Sequence, residues 1–490
     1  MAIFGRKGKK AAKEAEKAAA QETNTTDNEK SGRDTPESQQ GHKGNPFATP
    51  KFSEPPSRDP QDSTESGSGY FPPVQTKSYV PRRRKFVSAR LKEGELDDKP
   101  WVRGKDDPNY KRRRWEKAMF WICIALGVVI GAAICAFEYM SVSTGVFCPI
   151  WEDDFHSIDT SAWNYEWQRG GFGTGSFEWT TDDPKNAYTD ANGLHIVPTL
   201  TTDSTNITLD QIYDGYVINM TTDKTCTSTD YTMCSIRSNK TSGDIINPVR
   251  SARLTTRHKK TIKYGRVEVV AKMPQGDWLW PAIWMMPDTE AYGAWPMSGE
   301  IDIAESRGNS PDNYTDGRNS VISALHWGPS PLTDGFWRTS GKHNIKRTDY
   351  SKAFHTYGLE WTQDYLFTYI DSKLLQVFFI KFNDGSGNMW NRGDFGSALA
   401  NRSALFNPWS QTGLANTPFD QEFYLILDVA VGGTNGYWPD GVSNKPWGDG
   451  SLTSPKSFYD ARNIWLPTWG AGDARGMTVK SVKMSKAGAC

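Results

Sequence analysis

The sequence predicts an all-β sandwich, separated by one membrane-spanning helix from a disordered tail. Three observations carry that prediction. Beyond about residue 148 the chain is full of Gly, Trp, Tyr, Thr and Asn, set in short alternating runs between turn signals, with no long amphipathic helix. Ala118 to Phe137 (AMFWICIALGVVIGAAICAF) carries no charge. Residues 1–117 are rich in Lys, Arg, Glu, Ser, Pro and Gln and poor in aliphatic side chains.

Such a tail cannot bury enough apolar surface to fold, so residues 1–117 read as a disordered cytoplasmic segment. The run KKAAKEAEKAAA, Lys9 to Ala20, favours helix but is too short to be stable alone. Two basic clusters follow, Arg82-Arg83-Arg84-Lys85 and Lys111-Arg112-Arg113-Arg114. Lys plus Arg and Asp plus Glu number 57 each, so nothing global points to nucleic acid. The apolar run after the second cluster favours bilayer lipid as the partner instead. Roughly twenty apolar residues span a bilayer core as a helix. A signal-anchor helix is therefore placed at residues 118–138. A cleaved signal peptide would lie nearer the N-terminus and be shorter. Basic residues crowd the N-terminal side, whereas Glu138, Glu152, Asp153 and Asp154 lie on the other. The positive-inside rule then puts residues 139–490 in the lumen or outside the cell, in a single-pass type II arrangement at the plasma membrane or in the secretory pathway.

Glycosylation sequons beyond the span occur at Asn206, Asn219, Asn239, Asn313 and Asn401. One more, at Asn24, would be cytosolic and unused. Cys123 and Cys135 lie within the span, and Cys148, Cys226, Cys234 and Cys490 beyond it, an even number suited to an oxidising compartment. Four cysteines allow three pairings. The preferred ones are Cys226–Cys234, closing a short loop, and Cys148–Cys490, stapling the two ends of the domain. A zinc site is the rival, and no CxxC pair supports it.

Strand-like runs include Gly265–Ala271, Tyr365–Ile370 and Phe423–Val431. Many short strands of this kind make a sandwich or jelly roll around one core. The polar segment from about 200 to 246, with its sequons and two cysteines, reads as an elaborated surface loop.

The chemistry concentrates in Ser298 to Ser306 (SGEIDIAES), with three carboxylates within six residues. A strand alternates its faces, so Glu300 and Asp302 point the same way while Glu305 has the wrong parity. One extra residue, a β-bulge near Ile303-Ala304, returns Glu305 to that face. Two carboxyls flanking a bond are the minimum for glycoside hydrolysis, and a third between them tunes both. An acid-rich strand is commonly only a solvated face. Here, however, Trp278, Trp280, Trp284 and Trp295 lie upstream and His326-Trp327 downstream, and aromatic faces stack on sugar rings.

Several ordered blocks resemble glycoside hydrolase family 16, in its laminarinase-like branch. They are Asn247 to Leu254 (NPVRSARL), Lys263 to Val269 (KYGRVEV), residues 278–284, Ser298 to Asn309 (SGEIDIAESRGN), Ala324 to Pro329 (ALHWGP), Phe354 to Trp361 (FHTYGLEW) and Pro418 to Gly433 (PFDQEFYLILDVAVGG). They run through most of the domain. The resemblance implies a concanavalin A-like β-jelly-roll sandwich and a retaining mechanism, with Glu300 as nucleophile, Asp302 assisting and Glu305 as acid/base. The two residues between Asp302 and Glu305 match the laminarinase-like pattern; lichenase-like members have one. Asp428 is a departure, standing where many relatives carry Asn.

The same resemblance implies an endo-acting β-glucan hydrolase or transglycosylase, with β-1,3-glucan as the expected polysaccharide and cell-wall remodelling of fungal type as its setting. Similar blocks occur in invertebrate β-1,3-glucan recognition proteins, so a non-catalytic binding module is the alternative class. Arg253 and Gln421 resemble substrate-contacting positions. Trp280, Trp284, Trp295 and Trp327 are candidate sugar platforms, some of which must instead be core. His326, on a neighbouring strand, is placed to hydrogen-bond Asp302. Arg307 and Asn309 are equally suited to shaping a loop. No cofactor is required. A structural calcium is common in the family, and Glu152, Asp153 and Asp154 are its candidate ligands.

Overall fold

The computed structural model describes residue 105 and residues 107–141, 145–383, 385–396 and 405–490. Nearly all of the expected cytoplasmic tail, and the sequon at Asn401, lie outside the described residues.

Helix α1 spans Tyr110–Ser141. It therefore starts eight residues before the expected boundary at 118. The basic cluster is its first turns and not coil, a correction with a simple cause. Lys, Arg and Glu favour helix, no breaker separates them from the apolar run, and Arg112 pairs with Glu116 one turn on at 3.0 Å. Trp115, Phe120, Leu126 and Val128 are all exposed. The helix is long and apolar enough to cross a membrane.

The domain that follows is two antiparallel sheets packed face to face. The sheet that carries the acids contains, in chain order, β1 (Asn164–Tyr165), β2 (Arg253–Thr255), β3 (Thr261–Ile262), β4 (Leu279–Pro287), β5 (Glu300–Ser306), β6 (Ser320–His326), β7 (Ser340–Asn344) and β8 (Phe423–Val431). Their order in space is β7-β6-β5-β4-β8-β2-β1, with β3 pairing β8. The second sheet runs from Ser372–Lys381 through Tyr365–Ile370, His355–Trp361, Gly265–Lys272, Met477–Ala487 and Gly193–Ile196 to Ala187–Asp190, and Phe147–Asp153 pairs with Met477–Ala487.

Strand alternation explains the core. On β4, Leu279, Ile283 and Met285 point inward; on β8, Phe423, Leu425, Leu427, Val429 and Val431 do the same. Val267, Val269, Leu359, Leu366 and Val482 meet them from the second sheet. Burial of these aliphatic and aromatic side chains contributes about 1.5–3 kcal/mol each.

Both preferred disulfides are formed, Cys148–Cys490 and Cys226–Cys234. The segment around 200–246 is more than a surface loop. It contains a hairpin, Val217–Asn219 with Ser235–Arg237, and short helices, and it sends Ile207, Ile212, Ile218 and Met220 into the common core. Its apolar residues are sparse, which hides this in a composition reading. Asn206, Asn239 and Asn313 are exposed, and Asn219 is half-buried.

Candidate active site

The extra residue falls at Ile303. On one side β4 pairs Ile283 with Ala304 and Trp284 with Asp302, skipping Ile303. On the other, β6 advances two residues, Ala324 to Ile322, while β5 advances three, Asp302 to Glu305. Glu300, Asp302 and Glu305 thus stand opposite His326, Ala324 and Ile322, alternate positions on one face. Four steps of the partner strand separate the two glutamates, about 13 Å between backbones where five regular steps would give about 16 Å. Two glutamate side chains reaching inward from the ends are long enough to address one bond between them. Gly299 turns the chain into this strand at φ 84°, and a Cβ there would press on Phe419 and Pro418 at 3.1 and 3.2 Å.

Three acids on this face accept a tryptophan ring N–H, and Asp302 faces His326 as an ion pair. Trp280 Nε1 donates to Glu305 Oε1 at 2.8 Å. Trp295 Nε1 donates to Glu300 Oε2. Trp284 Nε1 donates to Asp428 Oδ1 at 2.7 Å. His326 Nε2 lies 3.3 Å from Asp302 Oδ2 while its Nδ1 is 2.5 Å from Asp334 Oδ2.

These contacts set the protonation. Burial pushes Glu305 up to about 7, against the His326 charge and the Trp280 hydrogen bond. Burial and the charges of Glu300 and Glu305 push Asp302 well above the usual carboxylate range. Burial alone would lower His326, yet the Glu300 charge and the hydrogen bonds to Asp302 and Asp334 hold it well above the usual histidine range. Glu305 can therefore carry a proton at neutral pH beside a fixed positive charge. Burial likewise raises Asp428 to about 6, opposed by Arg253 and the Trp284 hydrogen bond.

The sequence candidates separate into three groups. Arg253 is paired with Glu166 at 2.6 Å and sandwiched between the rings of Phe172 and Trp284, at 3.8 and 4.6 Å from its guanidinium carbon. It stands opposite Asp428, which stands opposite Ala282, which stands opposite Glu305, so one cross-strand row joins them. Trp280, Trp284 and Trp295 border the acids and bind carboxylates through their ring N–H groups; one face of Trp280 is covered by Tyr437, 3.8 Å between centroids.

Trp327 is corrected to core. It is fully buried and its Nε1 donates to Thr339 Oγ1 at 2.7 Å. It follows His326 immediately, so alternation turns it inward. Gln421 also braces the turn before β5: its amide donates to the carbonyls of Ser298 at 3.0 Å and Pro418 at 3.2 Å. Arg307 and Asn309 shape loops, through Tyr437 O at 2.7 Å and Trp278 N at 3.0 Å.

Reasoning from sequence missed Asp334, Phe336, Phe172, Glu166 and Tyr437. Phe336 stacks on His326 at 5.0 Å. Phe172 is a non-glycine residue at φ 48° within a glycine-rich run, the one local signal that marks it.

Of the calcium candidates, Glu152 pairs with Lys483, and Asp153 accepts from Trp163 Nε1 and Phe155 N, both at 2.8 Å. Among the described residues, the groups that bring three ligand-type atoms within 4.8 Å of one another are Glu300–Asp302–His326 and Asp190–His195–Asp473. In the first, His326 turns Nε2 to Asp302 and Nδ1 to Asp334.

Residues 203–387, which include the acids, match the family described as "Glycosyl hydrolases family 16". A protein from Penaeus monodon named "Beta-1,3-glucan-binding protein" is 41% identical over 330 residues, 67% of this chain and 86% of that one. The chain belongs to glycosyl hydrolase family 16. A relative from Cryptopygus antarcticus, named "Glucan endo-1,3-beta-glucosidase", is 29% identical over 61% of this chain and 84% of its own length. Among solved structures, the laminarinase catalytic domain from Thermotoga maritima aligns at 22% identity with a TM-score of 0.42, over 70% of this chain and 99% of that one. The two-sheet sandwich here is the jelly roll of the family 16 fold.

Proposed function

We propose that this chain is a retaining, endo-acting β-glucan hydrolase or transglycosylase with β-1,3-glucan as its polysaccharide. The observation that carries this reading is the bulge at Ile303, which puts all three acids on one face with Glu305 raised to about 7. In the first step a Glu300 oxygen bonds to the anomeric carbon. The bond to the glycosidic oxygen breaks, and that oxygen takes the proton of Glu305. In the second step Glu305, now a carboxylate, takes a proton from water or a sugar hydroxyl. That oxygen bonds to the anomeric carbon and Glu300 leaves. The proton on His326 holds Asp302 in place between the two.

The helix at Tyr110–Ser141, the two disulfides and the exposed sequons support anchorage in a membrane with the domain on the lumenal or extracellular side, suited to remodelling of a cell wall. A second reading is favoured by the printed name of the Penaeus monodon relative: a glucan-binding protein without turnover. Product analysis on linear β-1,3-glucan separates the two. Shorter or rearranged chains with retained β-configuration are expected. Binding without either product, unchanged in Glu300→Gln, Asp302→Asn and Glu305→Gln, would leave the binding module.

A further inference from the structure

A cavity of about 550 Å³ lies outside the row of acids, walled by the turn at 363–364, by Asn383 and residues 387–390, and by residues between Asn407 and Thr417. This is within the ~300–1,000 Å³ range of small-molecule sites. Its wall chemistry is unusual for a surface hollow. Carboxamides dominate it, two tryptophans enter it, Asp364 is the single acid, and the described lining residues include no Lys, Arg or His.

Several of these amides have unused hydrogen-bonding capacity. Asn388 and Asn407 spend their side-chain oxygens on Asn391 N and Trp409 N, both at 2.9 Å, and their NH₂ groups have no partner among the described residues. Asn416 is fully buried in the wall, and its side-chain oxygen is likewise unpartnered. The half-exposed amides of Asn388 and Asn407 are open to a ligand that accepts hydrogen bonds. Trp390 is half-buried, set edge to face against Trp409 at 6.1 Å.

We propose that this cavity is a second saccharide-binding site, taking a short neutral stretch of the glucan chain. A sugar hydroxyl both donates and accepts, which matches carboxamides, and an indole face suits the apolar face of a pyranose ring. The described lining offers no cation to a phosphate or carboxylate, and its amides suit a sugar better than a lipid. The site also reaches the loop before β5: Trp409 Nε1 donates to Met297 O at 2.8 Å, between Trp295 and Glu300. A chain held here would tether the polysaccharide beside the cleft.

The proposal rests on the glucan reading, so its test keeps the two apart. Calorimetric titration of the full chain, as Glu300→Gln, with a β-1,3-linked glucohexaose should show two binding sites. Trp390→Ala, or Ser410→Trp at the exposed rim, should weaken one at least tenfold, and Trp284→Ala the other. Ser410→Trp removes no core contact, so it remains informative if Trp390→Ala misfolds. A single site that is lost in Trp284→Ala and unchanged in both cavity variants would overturn the proposal. Hexaose turnover by the unsubstituted protein tests the cleft separately: turnover with a single site removes this proposal alone, and two sites without turnover remove the enzyme reading alone.

Discussion

Trp280→Phe tests the link between the indole and the acid. Trp280 Nε1 donates to Glu305 Oε1 at 2.8 Å, and that bond opposes the upward push of burial on the carboxyl. The bond favours the charged form, so its loss raises the pKa. A hydrogen bond to a charged group is worth ~1.5–3 kcal/mol, and one pKa unit is 1.36 kcal/mol. Water entering the gap replaces part of the bond, so the lower end applies, a rise of about one unit. Phe keeps the stack on Tyr437 and most of the apolar volume. The assay is kcat/KM against pH, which reports the free enzyme. The unsubstituted protein should lose activity as pH rises through about 7, where Glu305 gives up its proton. The variant should lose it about one unit higher, whatever its overall rate. An alkaline limb that stays put or moves down would refute the assignment of Glu305 as the acid.

Glu300→Gly with azide and an activated β-glycosyl donor should give the α-azide, and Glu305→Gly the β-azide, distinguished by NMR; the opposite pairing would reverse the two roles. Asp302→Asn should slow turnover by about 10–100-fold, one to two units of neighbour tuning, with no azide rescue in either configuration. Replacing Cys148 and Cys490 by Ser should cost more stability in denaturant titration than replacing Cys226 and Cys234, because the loops closed have sequence separations of 342 and 8. Protease added to sealed right-side-out vesicles should remove a tag at residue 490 and spare one at residue 1; a protected C-terminus would sink the type II arrangement.

What the sequence made legible was local and periodic. The parity of Glu300, Asp302 and Glu305 demanded an extra residue, and the ladder skips Ile303. His326 read as the cross-strand neighbour, and it pairs with Glu300 in register and Asp302 in charge. The same parity distinguishes Trp284, opposite Asp302, from Trp327, which alternation turns inward. Asp334, Phe172, Glu166 and Tyr437 arrive on loops whose paths depend on closure between distant segments, and no period marks them. α1 begins within the charge cluster and not at the first apolar residue, because charged residues continue a helix well.

The bulge has one further implication. Because Ile303 is skipped by β4 and β6 alike, the distance between the carboxylates is fixed by the neighbouring strands and not by the number of residues joining them. Excising Ile303 would leave Asp302 opposite Trp284 and Glu305 opposite Ala282, with the acids still on one face of a now regular strand. The loss would fall on the interior, where Ile303 is 2% exposed. An insertion and its removal are then two routes to one catalytic geometry.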